Sequence, residues 1–227
     1  MSVPEVASRL HVSEARVRQR IDEGSLVAQK IGGRWLVDLG APDEVARQAR
    51  GRPVSPSSVW YSLQALDLAS LIDLPDLSIS DASRRRAVIR LASALENADH
   101  QAVLSWLRNR GERRLYVAAE ADLVPVRNDD RVLPSGLSHP ESQMSDPRVA
   151  EGYVAKADVD ALAANYWLEK RSPDDKPNVV LHVVPALPSS VSRLLLAADL
   201  AEHGGPREAQ RAHELIAEVA AEFEASR

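Results

Sequence analysis

The 227 residues, 44% of them hydrophobic, suffice for one sizeable core or two smaller ones, and the absence of cysteine excludes disulfides, thiolate metal sites and a cysteine nucleophile. A net charge of −5 argues against a protein that coats nucleic acid nonspecifically, because such binding rests on phosphate neutralisation. That charge is uneven: residues 1–56 carry 9 Lys+Arg against 7 Asp+Glu, residues 57–115 carry 8 against 7, and residues 116–227 carry 11 against 19, so the two ends are expected to meet different partners. The start of the sequence lacks a basic segment followed by an apolar run, and no stretch approaches the roughly 18–20 apolar residues of a membrane span. A cytoplasmic protein without membrane contact is expected.

In chain order, Val3, Val6, Ala7 and Leu10 fall at helical spacing behind Ser2 as N-cap, with Pro4 in the first turn. His11-Val12 breaks the pattern. Ser13 followed by Glu14 predicts a second N-cap, with a favourable charge at the positive end of a helix that runs to about Glu23 and stops at Gly24. Leu26 to Ile31 and Arg34 to Asp38 are short β-prone runs around Gly32-Gly33, a dipeptide suited to a tight hairpin turn. Two short helices, a glycine and a hairpin give the order of a winged helix-turn-helix over residues 1–40, with the second helix in the major groove.

Residues 41–56, rich in Pro, Gly and Ser, read as a linker with a short helix from Pro42 to Arg50 inside it. Residues 57–115 read as a helical segment: a helix over about 57–72, a break at Asp73-Leu-Pro-Asp-Leu, a helix capped by Ser80 through Glu96, and one from His100 to Arg110. Residues 116–227 are mixed. Tyr116–Ala118 is expected extended, 119–123 as one helical turn, 125–150 as a polar loop, Gly152–Ala155 as a strand and Asp158–Asn165 as a capped helix. The almost continuous apolar run Asn178–Pro185 predicts a strand buried on both faces, and the helices Arg193–His203 and Pro206–Ala225 close the chain. The fold class is therefore α+β, with an N-terminal winged helix, a central helical segment and a C-terminal mixed α/β domain expected to form its own core.

On a helical wheel through the second helix, with about 100° per residue, Val17 and Ile21 point one way while Ala15, Arg16 and Gln19 point the other. A small residue permits close approach to a groove, and a guanidinium and an amide suit guanine and adenine edges, so Arg16 and Gln19 are the expected base readers. Arg18, Arg20, the Ser13 hydroxyl, and Lys30 and Arg34 on the hairpin are expected at phosphates. Trp35 reads as a wing residue packed on the helices. Since one small winged helix buries little surface, two copies are expected on repeated half-sites of a double-stranded DNA operator, with self-association on DNA.

Val3 to Val37, above all Val12-Ser13, Val17, Gly24 and Lys30-Ile-Gly-Gly-Arg-Trp35, resembles the excisionase and MerR-type winged-helix family, which implies DNA binding through the second helix. A longer pattern is similar to actinobacterial regulators that resemble AbiEi-type antitoxins: Gly51-Arg-Pro-Val-Ser-Pro56 leading into Val59-Trp60, then Leu137-Ser138, Gly152-Tyr-Val-Ala, Asp158-Val-Asp-Ala-Leu, and Asn178-Val-Val-Leu with an Ala-rich closing helix. This resemblance implies an autorepressor of a toxin-antitoxin operon, partnered directly or indirectly with a nucleotidyltransferase-type toxin. The other readings are a nucleic-acid-modifying enzyme delivered by a winged helix and an architectural or recombination-directionality factor.

Signatures of enzymes are lacking in the sequence. No Walker-type, dinucleotide or His-Glu-x-x-His motif occurs, so neither a catalytic residue nor a cofactor or metal is expected. Gly136-Leu-Ser138-His139-Pro140 begins like a nucleophile elbow, but Pro140 stands where the second glycine belongs, and Ser138 reads as a loop residue. Asp199, Glu202 and His203 share about one helical turn, with His213-Glu214 on the next helix. Without a second ligand set they read as solvated helix faces. His182 reads as a core or edge histidine, and Asp129-Asp130 and Asp174-Asp175 as turn-forming pairs.

Overall fold

The computed structural model describes residues 2–10, 13–22, 27–31, 34–38, 54–69, 80–144, 146–171 and 176–226, and the chain divides into two compact units, residues 1–53 and 54–227. Among the described residues no helix is long and apolar enough to cross a membrane. The expected helix at Pro42–Arg50, the turn glycines Gly24, Gly32 and Gly33, the break at 73–77 and the pair Asp174-Asp175 lie outside the described residues.

In the first unit, α1 (Val3–Leu10) begins behind Ser2, whose carbonyl accepts the Val6 N–H at 3.0 Å while the Glu5 carboxylate takes the Ser2 N–H at 2.7 Å. That return bond is one half of a capping box. Val3, Val6 and Ala7 are buried at the spacing that places them on one face. α2 (Glu14–Asp22) is capped by Ser13: its hydroxyl accepts the Arg16 N–H at 3.3 Å, and its carbonyl accepts from Arg16 and Val17 at 3.0 and 3.2 Å. Two antiparallel strands follow, β1 (Val27–Ile31) and β2 (Arg34–Asp38), with Lys30 opposite Trp35 and Ile31 opposite Arg34. α1 packs on α2 and touches β2.

The second unit is mixed α and β. α3 (Pro56–Ala65), α4 (Asp81–Glu96) and α5 (His100–Leu107) start at Ser55, Ser80 and Asp99, whose side chains accept an N–H from the first turn. α3 is shorter than the periodicity suggests because Asp67 takes a left-handed φ of 56° and turns the chain. Beyond them run β3 (Glu112–Val117), α6 (Glu120–Arg127), β4 (Val132–Pro134), β5 (Ala150–Ala155), α7 (Val159–Asn165), β6 (Glu169–Lys170), β7 (Val179–Val184), α8 (Arg193–Ala201) and α9 (Pro206–Ala225). The sheet order is β4-β5-β7-β3-β6, antiparallel except for β5 beside β7. The helix and strand α6 and β4 occupy part of the stretch expected as loop. Pro125 sits within α6 and Pro134 ends the edge strand β4, a place where a missing N–H costs no ladder bond.

All six residues of β7 are buried, as a strand covered on both faces requires. Val179, Leu181 and Val183 face one core with Leu123, Val126, Val159 and Leu162 of α6 and α7. Val184, with Tyr153 of β5, joins the other core, which contains Trp60 and Leu63 of α3, Leu91 of α4, Leu107 of α5, Leu195 of α8 and Ile216 of α9. The first of these cores lies wholly within residues 116–227, as expected, whereas the second is shared: the apolar faces of α3 to α5 are covered by α8, α9 and the sheet.

Candidate functional site

In the first unit the exposed part of α2 begins at its cap. Ser13, Ala15, Arg16 and Arg18 are exposed while Val17, one residue from each of the two arginines, is fully buried, so the wheel is correctly phased in its first turn. Arg18 bonds Glu14 at 2.7 Å, an exposed i, i+4 pair that a phosphate can displace at little cost. Gln19 and Arg20 belong to the backbone of α2, and Lys30 and Arg34 to the hairpin. Their side chains, like that of Ile21, lie outside the described residues. Trp35 is half-buried.

The second unit holds a polar cluster that sequence reasoning missed. Odd-numbered residues of β5 and even-numbered residues of β7 turn Glu151, Tyr153 and His182 to the same side of the sheet, where α8 lies. Arg110, 2% exposed just after α5, reaches this layer as Trp60 Nε1 donates to its carbonyl at 2.7 Å. Its guanidinium donates to Asp199 Oδ1 from Nε at 2.9 Å and Nη2 at 2.5 Å, to Glu202 Oε1 at 2.6 Å and to the Tyr153 hydroxyl at 2.9 Å. Asp199, at 0% exposure, also accepts from Tyr153 at 2.9 Å and from the Ser135 hydroxyl. Around Glu151 the donors are His182 Nε2 at 2.9 Å, His203 Nε2 at 2.7 Å and the Leu137 N–H at 2.9 Å. His182 Nδ1 faces Arg110 Nη2 at 3.4 Å, and a guanidinium only donates, which fits the Nε2–H tautomer. Gly136 has a φ of 52°, and a Cβ there would stand 2.0 Å from the Glu151 carboxylate, so the loop needs glycine for both backbone and space.

Electrostatics bind the cluster. Burial works against the charge on Arg110, and the neighbouring Tyr153, Asp199 and Glu202 outweigh it and hold its pKa well above the usual range. Burial, then the Asp199 charge, push the Tyr153 phenol up, so it stays a neutral donor. Burial alone would raise the Glu151 carboxyl, but the hydrogen bonds from His182 and His203 take it from 4.5 down to about 2. For His203 burial lowers the pKa, and the hydrogen bond and charge of Glu151 raise it above 6.5 overall. Glu151 therefore stabilises the fold above pH 4.5 and loses that contribution as the pH falls toward about 2. His203 contributes below pH 6.5 and loses its contribution as the pH rises through its raised value. Urea denaturation should accordingly find His203→Gln less stable than the unaltered chain near pH 5.5, with the gap closing toward pH 9. A gap constant across that range would contradict the assigned pair.

Asp199, Glu202 and His203 are thus not a solvated helix face: they turn inward because Arg110, Arg113 and Glu151 await them, Arg113 lying 3.4 Å from Glu202. His182 is the buried, partnered histidine the apolar strand suggested. Ser138 ends a single 3-10 turn, Gly136–Ser138, and its hydroxyl accepts the Glu151 N–H at 2.9 Å and donates to the Val149 carbonyl at 3.2 Å. Asp129 forms a turn, accepting the Arg131 N–H at 2.9 Å and pairing with its guanidinium. His213 stacks on His100 with ring centroids 5.0 Å apart. Among the described residues no group of three or more His, Asp or Glu is placed to hold a metal ion.

Comparison with protein-family models, with curated proteins and with solved structures found no match to the chain.

Proposed function

We propose that the protein is a sequence-specific DNA-binding transcription regulator whose first unit is a winged helix-turn-helix. The observation that carries this reading is the order of two short helices and an antiparallel hairpin, with Ala15 and Arg16 exposed on α2 while Val17 is buried beneath them. Arg16 and Gln19 read base edges; Ser13, Arg18, Arg20, Lys30 and Arg34 hold phosphates. The Ser13 hydroxyl accepts the Arg16 N–H, and its own proton can still be given to a phosphate oxygen. Two copies occupy repeated half-sites. The AbiEi-type resemblance extends the proposal to autorepression of a toxin-antitoxin operon, with residues 54–227, which carry 19 Lys+Arg against 26 Asp+Glu, as the module that meets a co-encoded nucleotidyltransferase-type toxin.

Titration of DNA duplexes at two salt concentrations tests the division of labour. Arg16→Ala and Gln19→Ala are each expected to cost about 1–3 kcal/mol on the operator and little on random duplex. Arg34→Ala is expected to weaken both and flatten the salt slope by about one unit. Equal losses on both duplexes for every variant would overturn the assignment.

A further inference from the structure

α4 carries its arginines in two different ways. Arg84 turns inward, its guanidinium 5.3 Å from the Tyr61 ring centroid and 3.9 Å from Asp81. Arg85 and Arg86 are exposed away from the buried Ala87, Leu91, Ala94 and Leu95, and Arg90 is exposed at the flank of that buried stripe. Between them Ile89 is 65% exposed. At about 100° per residue these four fall within one face about 140° wide, together with the exposed Ala82 and Ser93. Among the described residues no carboxylate lies within ion-pair distance of these three guanidiniums; Arg86 makes only a 3.2 Å bond to the Ser83 hydroxyl. Acidic residues stand only at the helix ends, Asp81 and Glu96. A bare basic face is unusual on a unit with seven more acidic than basic residues.

We propose that this face of α4 is a second DNA-contacting surface, which grips the phosphate backbone without reading bases. The inference rests on the DNA-binding reading above and adds to it a contact outside the first unit. Arg85 and Arg90 are five residues apart, about 7.5 Å along the helix, and duplex DNA presents a charge about every 1.7 Å of its axis, so each of the three arginines can take a separate phosphate. Arginine is the side chain whose planar fork matches phosphate oxygens two at a time, and all three cations here are arginine. Ile89 in their midst gives the face an apolar centre to set against deoxyribose. A single winged helix buries less surface than operator-level affinity needs, and backbone contacts from a second helix supply the shortfall.

The test is the full chain carrying Arg85→Gln, Arg86→Gln and Arg90→Gln together, substitutions that keep helix propensity, with circular dichroism confirming the fold. Binding to operator and to random duplex is measured from about 50 to 200 mM salt. The expected result is a slope of log K against log salt shallower by about 2–3 units on both duplexes, with the ratio between them unchanged. An unchanged slope overturns the proposal while leaving the α2 reading standing. A shallower slope in a chain that binds both duplexes equally upholds α4 and defeats the α2 reading. No duplex binding by the unaltered chain overturns both, and loss of self-association in sedimentation without any change on DNA shows that the face meets an acidic protein surface instead.

Discussion

Replacing Arg110 by Met is expected to cost about 3–5 kcal/mol of folding stability, the usual penalty for leaving a buried charge without its partner. Asp199 has no exposed surface, and of its hydrogen-bond donors among the described residues the Tyr153 and Ser135 hydroxyls would stay while the Arg110 guanidinium would go. Glu202, with 26% of its side chain exposed, can turn to water and Arg113, so the loss concentrates on Asp199. Since domains hold together by about 5–15 kcal/mol, a loss of this size removes a large share. For a unit of this size it corresponds to a fall of about 6–20 °C in Tm. The pair Arg110→Met with Asp199→Leu should cost distinctly less than the two single changes summed, because the stranded charge is gone. Calorimetry on the four proteins measures this directly. Additive costs would mean that the ion pair is incidental to the packing.

Why this cluster escaped the sequence while its neighbours did not is a matter of what periodicity can register. The buried face of α1, the Ser13 cap, the burial of β7 and the partnered state of His182 follow from local rules: helical spacing, a capping residue, a run of β-branched residues. The polar cluster has no local rule. Arg110, Glu151 and Asp199 are 41 and 48 residues apart, and they meet only because β5 lies beside β7 and α8 crosses the same face. A signal did exist in Asp199, set within Leu194-Leu-Leu-Ala-Ala-Asp-Leu200, where the two wheel neighbours in the preceding turn, Leu195 and Leu196, are apolar. Such a charge demands an opposite charge across the packing, but the sequence does not say which. The shared core has the same origin: the spacing of Val59, Leu63, Leu91 and Leu95 shows that α3 and α4 need cover, not that α8 and α9 provide it.

A chain beginning at Val54 isolates the central claim, that operator recognition resides in the first unit. The cut spares what the second unit uses at its start: the Val54 carbonyl, which accepts from Asn109 at 2.7 Å, the Ser55 cap of α3, and Trp60, which holds Arg110. Both cores and the polar cluster lie within residues 54–227, so the buried groups described here keep the partners named for them. The fragment should therefore unfold cooperatively, with a Tm within a few degrees of the same transition in the full chain. On DNA the expected effect is large, since specific affinity typically exceeds nonspecific affinity by about 10³–10⁷ and all of that margin is assigned to α2 and the hairpin. The decisive measurement is the ratio of operator to random-duplex affinity for the full chain and for residues 54–227 at one physiological salt concentration. The account predicts a ratio above about 10³ for the full chain, falling to about one for the folded fragment even where weak, salt-sensitive binding persists. A fragment that keeps the preference for the operator, or a full chain that never shows one, would contradict it.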